Sequence, residues 1–193
     1  DLVIGNAIVS MYAKCGAPEK AHEVFEELPV RDESSWTSLI TSYSLDRKDT
    51  IVVDLFNQMM QESIHPDILT FTVVLNACSH AGLVDEAKEY FASMTTNYGI
   101  IPTLEHHTCM IDLFGRSGHF DEAVEAIKRM PTLDYLPMWS SLLGSCKKWG
   151  NVEVGKLAFD HCVQLDEHHV AGYVNMRNIF AADSALEENQ EPK

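Results

Sequence analysis

The stretch from Ile68 to Thr103, ILTFTVVLNACSHAGLVDEAKEYFASMTTNYGIIPT, constrains the fold most, because its pattern returns four more times in 193 residues. Apolar Phe71, Val74, Leu75 and Cys78 recur at helical spacing before Gly82, and Val84, Ala87, Phe91 and Met94 do so after it. Neither amphipathic half can bury its stripe alone. Laid over the whole chain, the template gives units starting at Leu2, Glu33, Ile68, Leu104 and Leu136, with spacings of 31, 35, 36 and 32 residues. A period in that range predicts an all-α helical solenoid of helix-turn-helix units. The fifteenth position holds Gly16, Gly82, Gly118 and Gly150, glycines that let one helix end and the chain reverse. Arg47 breaks that set, which predicts a looser second turn. The twentieth position is small or slim (Ala21, Val52, Ala87, Ala123, Gly155) and the twenty-fourth is large (Phe25, Phe56, Phe91, Ile127, Phe159), a pairing that lets neighbouring helices approach and fills the gap beside them.

A chain that is 46% apolar and 22% charged can build a continuous core, and no apolar run approaches the length of a membrane span. It starts with Asp1 inside a helix approach, which reads as part of a longer protein whose targeting peptide lies elsewhere. Among the five cysteines there is no C-x-x-C. Cys78 and Cys146 share a template position with Tyr12, Tyr43 and Phe114, so they read as core hydrophobes in a reducing compartment. After the five units, Ala171 to Ala182 reads as one further helix capping the stack, and 183–193 as a disordered acidic tail.

The first helices line the concave face of such a stack, so their polar residues carry the functional information. The fifth position holds Asn6, Thr37, Thr72, Thr108 and Ser140, all short and all able to hydrogen-bond. One reading is helix N-capping, which favours these residue types. The other is base readout, one base per repeat, with the last residues Asp32 and Asp67 beside the fifth position as acceptors.

The runs NAIVSMYAKCG, WTSLITSYS, TFTVVLNACSHAGLVDEAKEYFASM and CMIDLFGRSGHFDEAVEAIKRMP closely resemble pentatricopeptide repeat (PPR) proteins of the plant organellar type, with repeats of unequal length. WSSLLGSCKKWGNVEVGKLAF and YVNMRNIFAA resemble the E-type extension motifs of the RNA-editing members. The resemblance implies a right-handed α-solenoid. It divides the chain into a short repeat (2–32), a standard repeat (33–67), a long repeat (68–103), a short repeat (104–135), an extension motif (136–169) and a partial second one formed by a single helix (170–182). It also implies binding of single-stranded organellar RNA, with the fifth and last residues of each unit choosing the base. Asn6 with Asp32 would favour U, and Thr37 with Asp67 would favour G. Thr72 with Thr103, and Thr108 with Tyr135, depart from the family's pairs and are assigned no base. Second-position residues Val3, Ser34 and Leu69 would stack on bases, Ser34 least well. Lys14, His80, Arg116 and Lys148, at the thirteenth position, would approach phosphates, with Leu45 the exception.

A formal charge of −15 opposes polyanion binding, so weak binding by this chain alone is expected, with upstream repeats or a partner protein adding affinity. The resemblance implies the C-terminal part of a C-to-U RNA-editing specificity factor in the mitochondrion or chloroplast, the mitochondrion favoured. Its partners would be editing-complex accessory factors and a cytidine deaminase domain supplied in trans or downstream. His106, His107 and Cys109 cluster, as do His161, Cys162, His168 and His169, but no His is followed two residues later by Glu and no C-x-x-C exists, so the deaminase signature is missing. With no other catalytic motif either, the reading is a non-enzyme with no cofactor, metal, small-molecule substrate or membrane partner. Two other classes compete. One is a tetratricopeptide-like peptide scaffold, opposed by Val9, Ile40, Leu75, Ile111 and Leu143 where small residues would be wanted. The other is a degenerate PPR paralogue acting in RNA stability alone.

Overall fold

In the computed structural model the described backbone runs from Leu2 to Glu188 and the described side chains cover residues 3–182. Among these residues there are eleven helices and no strand. The chain divides into two compact units, residues 1–106 and 107–193.

The first unit is built from helix pairs: α1 (Leu2–Lys14) with α2 (Pro18–Glu26), α3 (Glu33–Leu45) with α4 (Asp49–Gln61), and α5 (Ile68–Ala81) with α6 (Val84–Thr96). Helix α1 packs on α3 and α3 on α5, so the first helices form a row. Each second helix packs on its own first helix, and α2 and α4 also pack on the first helix of the next pair. Size alternation makes this possible. Ala21, Val52 and Ala87 are fully buried where helices cross, while Phe25 and Phe56 fill the adjoining space. Phe25 meets Trp36 edge-on at 4.7 Å, and Phe56 meets Phe71 at 5.4 Å and Tyr90 at 4.9 Å. In the third pair Tyr90, rather than Phe91, is the buried ring, its hydroxyl donating to Asn57 Oδ1 at 2.9 Å. Burial of each such side chain contributes about 1.5–3 kcal/mol.

The turn inside each pair has one geometry. Gly16 and Gly82 sit at φ 68° and 73°, and Ala17 and Leu83 send their N–H back to the carbonyls of Tyr12 and Cys78 at 3.1 and 3.0 Å. The second turn is not looser. Arg47 adopts φ 59° and the Lys48 N–H reaches the Tyr43 carbonyl at 3.1 Å, so the surrounding helices impose the left-handed conformation on a residue that resists it.

The second unit holds α7 (Leu104–Arg116) from residue 107 onward, α8 (Phe120–Lys128), α9 (Leu136–Trp149), α10 (Val152–Leu165) and α11 (Val170–Glu188). Ala123 and Gly155 are the buried small residues here. A Cβ at Gly155 would lie 3.0 Å from Ile179 Cδ1, so the missing side chain is what admits α11. Helix α11 packs on α9 and α10 and runs past the expected end at Ala182, because no glycine or proline interrupts residues 183–188. The remainder of the expected disordered tail, 189–193, lies outside the described residues. Cys78, Cys109, Cys146 and Cys162 are buried and Cys15 is exposed, all as free thiols. Burial pushes the Cys78 and Cys146 thiols up to about 12, which keeps them unreactive. Among the described residues no helix is long and apolar enough to cross a membrane.

Candidate nucleic-acid interface

Asp32 and Asp67, the last residues of the first two repeats, are also the N-caps of the next first helices, and this dual position builds the site. Asp32 takes an extended conformation before α3, accepts the Ser35 N–H at 2.9 Å and gives its own N–H to Ser35 Oγ at 2.8 Å, a reciprocal capping box. Asp67 caps α5, accepting the Thr70 N–H at 2.7 Å. The side-chain caps of α3 and α5 are therefore last-position residues, and the capping reading of the fifth position fails: Asn6, Thr37, Thr72, Thr108 and Ser140 lie inside their helices.

In the first unit each fifth residue meets the last residue of its own repeat. Asn6 Nδ2 donates to Asp32 Oδ1 and Oδ2 at 3.0 and 3.2 Å. Burial acts to raise the Asp32 carboxyl, but hydrogen bonds from Ser35 and Asn6 outweigh it and hold the group below the usual range. Thr37 meets Asp67 through Thr70. The Thr37 and Thr70 hydroxyls are 2.8 Å apart, and the Thr70 hydroxyl donates to Asp67 Oδ1 at 2.6 Å. Thr72 meets Thr103 through His106, whose Nε2 is 3.1 Å from Thr72 Oγ1 and whose Nδ1 is 2.7 Å from Thr103 Oγ1. His106 is fully buried, and that burial pushes its pKa down despite a contact to the Ile68 carbonyl.

Ser35, Thr70 and His106, which bond the last residue of the preceding repeat, occupy the third position of the following repeat, and that role escaped the sequence reading. A signal existed. The same position is apolar in the first and fifth units, Ile4 and Met138, so the polar residues of the middle three, all fully buried, stand out.

A groove of about 450 Å³ between α1 and α3 is lined by Lys14, Ser34, Thr37, Asp67 and Leu69, among others, so every expected class of contact is represented there. The expected stacking residues Val3, Ser34 and Leu69 are exposed. His80 is held between Asp49, at 3.2 Å, and Arg47, at 3.2 Å.

In the second unit Thr108 and Tyr135 are half-buried, and Tyr135 precedes α9 without a side-chain cap. Ser140 Oγ lies 2.7 Å from Nε2 of His169, the last residue of the fifth unit, a contact the sequence reading did not foresee. A second groove, of about 440 Å³, holds Asp112, Arg116, Ser140 and Lys148. Arg116 donates to Asp112 at 2.5 Å, and Lys148 Nζ donates to the Arg116 carbonyl at 3.1 Å. His161 stacks on Trp139 at 4.0 Å, and among the described residues no group of three or more His, Cys, Asp or Glu could hold a metal.

Repeated helix pairs whose fifth and last residues meet, directly or through one side chain, define a helical-repeat protein with a polar row on its first helices. Models of the PPR repeat match 6–32, 69–97 and 105–135, and a model of the PPR repeat family matches 31–80, so the chain belongs to the pentatricopeptide repeat family. The Arabidopsis thaliana pentatricopeptide repeat-containing protein At4g14820 is 42% identical over 188 residues, 97% of this chain and 26% of its own length. The mitochondrial protein At3g11460 of the same plant is 40% identical over 97% of this chain and 30% of its own, and the chloroplastic At3g49170 is 39% identical over 96% and 22%. The chain thus spans about a quarter of the length of the curated relatives it matches. Among solved structures, the maize pentatricopeptide repeat protein PPR10 shares the fold over 97% of this chain and 28% of its own, at a TM-score of 0.73 and 22% identity. PPR10 is also solved in complex with an 18-nt psaJ RNA element; that structure matches 86% of this chain and 26% of its own, at a TM-score of 0.63 and 23% identity.

Proposed function

We propose that this chain is a sequence-specific single-stranded RNA-binding module that reads one base per repeat through its fifth and last residues. Asn6 with Asp32 reads U, and Thr37 with Asp67 reads G. Thr72 with Thr103 and Thr108 with Tyr135 form the next two positions, Val3, Ser34 and Leu69 stack on bases, and Lys14, His80, Arg116 and Lys148 lie toward phosphates. The observation that carries this reading is the meeting of fifth and last residues in the first unit, where Asn6 is bonded to Asp32 and Thr37 is joined to Asp67 across one hydroxyl. Two residues far apart in sequence then act as one recognition element. Membership in a family with an RNA-bound member supports the same reading.

The wider role proposed is that of the C-terminal part of an organellar C-to-U editing specificity factor, with no catalysis of its own and a deaminase supplied by another domain or protein. Relatives named mitochondrial and chloroplastic support an organellar setting. The acidic balance, −15 over the chain, makes binding weak unless further repeats contribute. The test is Asn6→Thr, assayed against short RNAs varied at one base. Preference at that base should move from U toward G, and an unchanged preference overturns the reading.

A further inference from the structure

The proton count around the fifth-position threonines decides what they can offer a base. The Asp67 carboxylate only accepts, and the Thr70 hydroxyl has one proton, which it gives to Asp67 Oδ1 at 2.6 Å. The bond of 2.8 Å between Thr70 and Thr37 must then be donated by Thr37, whose Oγ1 keeps only lone pairs for a further partner, and Thr37 lines the groove.

The next repeat reaches the same polarity by different chemistry. The Thr103 N–H, an obligatory donor, points at His106 Nδ1 at 3.2 Å, so the neutral ring carries its proton on Nε2. Full burial keeps the ring neutral. The Nε2 proton faces the Ile68 carbonyl at 3.0 Å and Thr72 Oγ1 at 3.1 Å. The Thr72 hydroxyl gives its own proton to the Ile68 carbonyl, at 2.9 Å, and is left as an acceptor as well.

We propose that the third residue of the following repeat, Thr70 behind Thr37 and His106 behind Thr72, is a specificity-determining position that fixes the fifth-position threonine as a hydrogen-bond acceptor. This rests on the base-reading function proposed above and adds a third residue to each recognition element. An acceptor suits the ring N–H on the pairing edge of G or U and meets a lone pair at the corresponding nitrogen of A or C. The repeat containing Thr72, for which Thr103 supplies no familiar pair, is thereby assigned G or U.

Thr70 touches the fifth residue and its partner from behind, so its effect appears in base preference rather than in overall affinity. The test titrates the 193-residue chain, at low salt, with four labelled RNA oligonucleotides that differ only at the base opposite Thr37. Thr70→Val removes the proton acceptor, frees Thr37 to donate, and should reduce the preference for G over A by about five- to tenfold, the value of one hydrogen bond. Thr70→Ser restores the hydroxyl and should restore the preference. Thr70→Ala loses the same hydroxyl without placing a methyl against Asp67, and serves if the valine variant melts early. Equal weakening toward all four RNAs would show a merely structural role and overturn the inference. If the unsubstituted chain shows no preference, or Thr37→Asn leaves it unmoved, the base-reading function itself fails. If Thr37→Asn shifts the preference while Thr70→Val and Thr70→Ala leave it intact, the third-position inference alone fails.

Discussion

Asp32 performs two tasks that substitution can separate. It caps α3 through Ser35 and holds the amide of Asn6. Alanine removes the cap, at about 1 kcal/mol, and removes the acceptor for two Asn6 hydrogen bonds. Bonds to a charged acceptor are worth about 1.5–3 kcal/mol when buried, but Asp32 is substantially hydrated, and screening reduces this term to about 0.5–1 kcal/mol. Asp32→Ala should therefore cost about 1.5–2 kcal/mol in urea unfolding at neutral pH. Asparagine is as good a cap and keeps one acceptor for Asn6, so Asp32→Asn should cost no more than about 0.5 kcal/mol, yet weaken selection of U. The pH dependence has a definite sign. The folded-state pKa is lowered, so the stability from Asp32 is fully present above its unfolded value, about 3.9, and is lost as the pH falls through the lower folded value. Asp32→Asn should flatten that part of the acid limb. Equal urea midpoints for the two variants at pH 7, or acid limbs that stay parallel to the parent chain, would refute the assignment of both tasks to this carboxylate.

Replacing Lys14, Arg116 and Lys148 together by alanine should lower affinity for every RNA sequence and reduce the slope of log affinity against log salt by up to about 2 for a single strand. An equal loss at every salt concentration would remove these residues from the phosphates. Arg47→Gly should raise stability by about 0.5–1 kcal/mol, because the left-handed φ of 59° costs a side-chain-bearing residue more than glycine loses in the unfolded chain. Gly82→Ala should cost about 1 kcal/mol from the backbone alone, since a Cβ there meets nothing within 4 Å; matching urea midpoints for Gly82→Ala and the parent chain would refute the turn argument.

Much of the fold was legible because it depends on local chemistry repeated five times. First helices begin at Leu2, Glu33, Ile68, Leu104 and Leu136, where the template units begin, and the small residues Ala21, Val52, Ala87, Ala123 and Gly155 are all buried. What escaped depends on three-dimensional neighbours. Arg47 was expected to loosen its turn, yet packing on both sides overrides its backbone preference. The end of α11 was placed at the first acidic residue, although acidic residues do not stop a helix that meets no glycine or proline. For the site, the fifth and last positions were named from the resemblance, and the first unit brings them together. The roles of Ser35, Thr70 and His106 were not legible, because they arise only when the last residue of one repeat bonds the third residue of the next. The bond between Ser140 and His169 escaped as well, because it joins side chains 29 residues apart.

That shared cap has a consequence for anyone recombining these modules. A cassette cut at Asp32 or Asp67 separates the aspartate from the Ser35 or Thr70 that orients it, and delivers it to a stranger's helix. The natural seam lies three residues further on, so transplanted segments should overlap their neighbour by one helical turn.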